Sequence, residues 1–97
     1  MDVTSIALSG LRASSQELRT AGTNIANANT PGFKAEAVVR KSQENGGVAT
    51  ETKRTQNDVS VEQELVNTNI ATYNFKANLQ VLKRQQEMDK SLLDIQA

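Results

Sequence analysis

The chain has 97 residues, enough for one domain, and its 11 basic residues balance its 11 acidic ones. Leu, Ile, Val and Phe make up 22 of the 97 residues, just above the roughly 20% below which a highly charged chain stays disordered. Zero Cys excludes disulfide and thiolate chemistry, and zero His removes the commonest general base and metal ligand.

The charges are spread along the chain, so no segment forms a nucleic-acid footprint. Nothing approaches the ~20 apolar residues of a membrane span, and Met1-Asp2-Val3-Thr4 lacks the basic start of a secretory signal. Carboxylate pairs such as Glu62 with Glu64 and Glu87 with Asp89 sit two apart, diverge on a helix and read as solvated faces rather than acid–base machinery. A non-enzymatic protein without cofactor or metal is therefore the expectation. Phe33, Tyr73 and Phe75 are the only aromatics, which suits an elongated helical element, its core finished by other subunits, better than a compact globule.

A first helix is predicted over 3–29. Leu11, Leu18 and Ile25 recur at a seven-residue spacing, while Ala7, Ser14, Ala21 and Ala28 hold a complementary offset, and Leu8 widens the stripe. The small residues would let a neighbouring helix approach closely.

The stretch from Thr23 to Lys34 ends that helix. Pro31 disfavours helical dihedrals at Thr30, Pro31-Gly32 suits the centre of a type II turn, and Asn27 and Asn29 are candidates for a left-handed C-cap. Asn24, a turn above Asn27, faces sideways with a donor and an acceptor for the following arm or for a neighbour, and Phe33 is the large apolar residue that pins the arm to a helix. A helix stop accounts for Pro31 and Gly32; the surplus asparagines leave room for a contact between subunits.

Over 30–59 the turn leads into an arm. Alternation through Ala37, Val38, Val39 and Arg40, then Asn45-Gly46-Gly47, then Val48 to Thr52 predicts either a short β-hairpin or a flexible loop. A second helix is predicted over 60–96, with Ser60 and Gln63 as a capping box and Glu62 and Glu64 in its first turn. Its apolar residues form two adjoining rows, Val66, Ile70, Tyr73, Ala77, Val81, Met88, Leu92 and Ile95 beside Leu65, Thr72, Phe75, Leu79, Leu82 and Leu93. One row suffices for the first helix, and a second implies further copies or other proteins. The alternative is a broad face in a self-contained dimer or trimer. The fold class is thus mainly α in a single domain, 1–97, with long terminal helices paired as an antiparallel, coiled-coil-like hairpin around the arm.

The run Ala7-Leu8-Ser9-Gly10-Leu11, followed by Thr23-Asn24-Ile25-Ala26-Asn27-Ala28-Asn29-Thr30-Pro31-Gly32-Phe33-Lys34, resembles the N-terminal motif of the bacterial flagellar axial proteins, the rod, hook and hook-associated family. Asn57 to Asn67 is similar to the start of that family's terminal helix, and Ala71 to Asn78 to its tyrosine and asparagine pattern. The resemblance implies a structural subunit of the basal-body rod or hook region, with copies of itself, other axial proteins and the type III export apparatus as partners. It implies export without a cleaved signal into the periplasmic-to-extracellular axis. It also implies packing of Leu11, Leu18 and Ile25 with Leu65, Ile70, Tyr73, Leu79 and Leu82, and polar contacts from Asn24, Asn27, Asn29 and Asn78. Only about 26 residues separate the helices, so the large outer domain of many members is missing and a minimal member is expected. The competing reading is a helical-hairpin adaptor or export-linked binding module.

Overall fold

A computed structural model describes residues 2–96; Met1 and Ala97, included in the expected domain, lie outside the described residues. The element order is α1 (Val3–Ala26), β1 (Glu36–Ser42), β2 (Val48–Arg54) and α2 (Val61–Gln96). The arm between the helices is a β-hairpin in the antiparallel register Glu36↔Arg54 to Ser42↔Val48. Gly46 and Gly47 turn it with positive φ values of 92° and 84°, a conformation that costs glycine no steric penalty.

Asp2 caps α1, its carboxylate accepting from the Ser5 amide at 2.7 Å. At the other end α1 stops at Ala26, and no asparagine takes the left-handed cap expected of Asn27 or Asn29. Among the described residues positive φ is confined to Gly32, Gly46 and Gly47. Instead Asn27, at φ −106° and ψ 12°, donates its side-chain amide back to the Thr23 carbonyl at 2.9 Å. The chain leaves the helix through bonds three residues apart, Ala28 to Ile25 and Thr30 to Asn27, so a left-handed residue is not needed there. Pro31 and Gly32 then form the expected type II turn, closed by the Phe33 amide on the Thr30 carbonyl at 3.2 Å with Gly32 at φ 76°.

α2 starts with half of the capping box. The Ser60 hydroxyl accepts from the Gln63 amide at 3.3 Å, but the Gln63 side chain turns forward to Asn67. The two helices run antiparallel, Gly10 facing Asn78 and Asn24 facing Glu64. This register sets Val3 beside Gln85, and α2 continues to Gln96 without α1 alongside. The overhang is about 16 Å at 1.5 Å per residue.

The seam between the helices corrects the expected packing. Apart from Asn24 and Glu64, the buried residues are small: Ala7, Ser9, Gly10, Ala13, Ser14, Thr20 and Ala21 on α1, and Ala71 on α2. Leu11, Leu18 and Ile25 are half-buried, as are Phe75 and Leu82. Their expected partners Leu65, Ile70, Tyr73 and Leu79 are exposed. The reason is distance. A Cβ on Gly10 would lie 2.6 Å from the Asn78 side-chain amide, so the backbones approach where only small side chains fit, and bulky ones are displaced to the flanks. α1 also carries the hairpin, which contacts α1 but not α2. α1 is thus covered on two sides and α2 on one.

This close approach gives a double-mutant prediction. Gly10→Ala adds helix propensity of about 0.5–1 kcal/mol, yet it must displace Asn78 from its 3.0 Å bond to the Asn74 carbonyl. Alone it should be neutral or destabilising by about 1 kcal/mol, and in an Asn78→Ala background stabilising by about 0.5–1 kcal/mol. Urea midpoints of the four proteins check this.

Candidate functional site: the corner and the outward face of α2

The corner is organised by Asn24, fully buried at 0% exposure. Its Oδ1 accepts from the Glu36 amide at 2.9 Å, and its Nδ2 donates to the Glu36 carbonyl at 2.8 Å and to Glu64 Oε2 at 3.0 Å. One amide side chain therefore joins α1, β1 and α2, pairing with Glu36 as a neighbouring strand's backbone would. Glu64 is buried as well, at 7% exposure. Its other oxygen accepts from Asn67 at 3.2 Å, and its place in the first turn of α2 sets the carboxylate near the positive end of the helix dipole. Burial of this carboxylate was not legible in the sequence, where it looked like a solvated dipole partner.

The chain after the turn is tied down on both sides. Ala35 donates to the Asn57 carbonyl and accepts from the Thr55 amide, both at 2.9 Å. Lys34 pairs with Asp58 at 2.6 Å, and Arg54 reaches Glu36 at 3.3 Å while lying 5.0 Å above the Phe33 ring. Phe33, expected to pin the arm to a helix, therefore lies under Arg54 of β2. Further along, Arg40 binds Glu17 and the Ser14 hydroxyl of α1, Thr52 accepts from Gln16, and Ser9 Oγ accepts from the Val48 amide at 3.1 Å. The hairpin is fixed to α1 by side chains spaced along the whole helix. Periodicity does not reveal such contacts, because each joins residues more than 20 positions apart.

Of the other corner residues, Asn27 is spent on helix termination and also accepts from the Thr30 hydroxyl at 3.2 Å, whereas Asn29, Pro31 and Gly32 stand exposed. Of the remaining candidates, Leu11, Leu18, Ile25, Phe75 and Leu82 are half-buried and the others are exposed. Leu8 on α1 and Leu65, Val66, Ile70, Tyr73, Leu79, Leu92 and Leu93 on α2 are exposed, with Val81, Met88 and Ile95 extending the row. Tyr73 is 75% exposed, Leu93 67% and Ile95 79%, values a monomer's core residues do not show. Among the described residues no group of three acidic, His or Cys side chains could hold a metal, and no helix is long and apolar enough to cross a membrane.

Surface ionisation gives a pH prediction. The hydrogen bond from the Ser5 amide holds the Asp2 carboxyl below its ordinary range, and the Lys34 hydrogen bond does the same for Asp58. Lys41 lowers Glu51 in the same way, and Glu51 in turn raises Lys41. Carboxylates depressed in the folded state contribute above their unfolded pKa, and that contribution is lost as pH falls through the folded value. The raised Lys41 contributes below its unfolded pKa and loses that contribution as pH rises through its folded value. A flat stability maximum around neutrality, falling below about pH 4 and weakening above about pH 10.5, is expected in urea titrations.

The fold and its surface define a class: an elongated helical hairpin that seals its own seam with small residues and presents its large apolar side chains outward. Residues 5–34, spanning nearly all of α1 and the corner up to Lys34, match the family described as flagella basal body rod protein. That likeness covers 30 of the 97 residues, all within α1 and the corner. No curated protein matches the chain.

Proposed function

We propose that the chain is a non-catalytic structural subunit of the flagellar rod, assembling through the outward faces of its two helices with copies of itself and with neighbouring axial proteins. One observation carries this reading: α2 leaves an apolar row exposed along its length and projects beyond α1 with Met88, Leu92, Leu93 and Ile95 uncovered. Such a surface is costly in an isolated chain and is covered in an assembly. Contacts of the heterologous kind, which do not close into rings, build helical polymers such as a rod. The short hairpin in place of a large insertion favours the rod over the hook. Passage through the flagellar type III export apparatus, without a cleaved signal, belongs to the same reading. Deleting the gene should abolish flagellation and swimming, and expression from a plasmid should restore both. Intact, normally motile flagella in the deletion strain would favour an adaptor that binds one partner.

A further inference from the structure

Beside the corner runs a groove that the rod assignment does not use. Its volume is about 500 Å³, within the ~300–1,000 Å³ typical of ligand clefts. One wall is β1 and the residue before it, Ala35 to Val38; the floor is Thr20 and Ala21 of α1; the other wall is Glu64, Asn67 and Ile70 of α2. Asn24, buried behind the lining, bridges Glu36 and Glu64, which both line the groove.

The β1 wall is an open strand edge. Ala35 and Gln43 both bond across the hairpin, to Asn57 and Thr55 and to Gly47, so the odd-numbered residues of β1 face β2 and the even-numbered ones turn their backbone groups away. At Glu36 those outward groups are already taken by the Asn24 amide. Val38 is the next outward residue, and its N–H and C=O lie on the groove side with no protein partner among the described residues. The chain thus starts an edge ladder with a side chain and leaves the next rung open.

The charge of the lining selects what completes it. Glu17, Glu36, Asp58 and Glu64 line the groove and no cation does. Arg40, Arg54 and Lys34 neutralise the first three from outside. Only Glu64 faces the groove with amide partners alone, those of Asn24 and Asn67. We propose that this groove binds an extended peptide segment of a partner protein, added as a strand to the edge of β1, with a lysine or arginine of that segment directed at Glu64. Main-chain bonds to Val38 supply the affinity and the carboxylate supplies the preference. The proposal holds wherever in the flagellum the chain sits.

The test uses the full chain and two soluble probes of about six residues, one of threonine and valine around a central lysine, the other with glutamate in its place. The lysine probe should slow amide exchange at Val38 and Arg40 and bind more tightly than the glutamate probe. Val38→Pro removes the outward N–H without touching a bond to β2, which an edge strand tolerates, and should weaken binding about fivefold to tenfold. Glu64→Gln should erase the preference for lysine. Unchanged exchange at Val38 and Arg40 with millimolar lysine probe in the wild-type chain overturns the proposal, whatever the variants do. Equal binding of both probes overturns the role of Glu64. Protection of the same amides that grows with protein concentration in the absence of probe assigns the groove to a second copy instead.

Discussion

Asn24→Ala should lower the stability of the folded chain by about 3–5 kcal/mol, read as a shift of the urea midpoint at constant slope. Truncation leaves the Glu36 amide, the Glu36 carbonyl and a buried carboxylate oxygen of Glu64 without their partner. Each orphaned neutral group costs about 1–3 kcal/mol and a charged one more. Part of this is recovered as water enters the vacated corner. A chain whose buried residues are mostly alanine, serine and glycine has a small hydrophobic reserve, so the loss should unfold a visible share of molecules without denaturant. Asn24→Asp separates the contributions. It retains an acceptor for the Glu36 amide but loses both donations and sets a second carboxylate beside Glu64, so it should be at least as damaging as Ala. A loss below about 1 kcal/mol for Asn24→Ala would mean that the three elements are held by something other than this amide.

Leu93→Asp should have the opposite profile, with folding intact and assembly lost. Leu93 is 67% exposed and lies on the part of α2 that extends past α1, so within the monomer the change touches solvent and should alter stability by no more than about 0.5 kcal/mol. In the proposed assembly the same position would face a neighbour, and an unpaired carboxylate there would cost several kcal/mol per contact, repeated at every subunit. Swimming on soft agar should fall to the level of the deletion strain while the soluble protein keeps its helical circular dichroism. Leu79→Asp is a less clean probe, because Leu79 adjoins Asn78 at the close approach to Gly10.

How far the sequence could be read depended on the range of the contacts. The helices, the glycine turn of the hairpin and the Pro31-Gly32 corner all rest on local chemistry, and local chemistry is what a single sequence contains. The offset of Ala7, Ser14 and Ala21 is local as well and points to the close helix approach that the structure shows, whereas the packing of Leu11, Leu18 and Ile25 against Leu65, Ile70, Tyr73 and Leu79 rests on the family resemblance alone. Large side chains normally mark the buried face; here the closest backbone approach admits only small residues, so Leu11, Leu18, Ile25, Phe75 and Leu82 flank it half-buried and the other large apolar residues of α2 are exposed. The buried Glu64 and the hairpin bonds of Ser9, Gln16 and Arg40 depend on tertiary placement alone.

The central claim is that the outward face of α2 is covered by neighbouring axial subunits. Electron cryomicroscopy of purified basal bodies, with this chain located by a tag on the exposed hairpin tip, tests it most directly. The α1–α2 hairpin is expected within the rod, with Tyr73, Leu92 and Leu93 each in contact with an adjacent subunit. Finding the chain outside the rod, or within it with those side chains facing water, would contradict it.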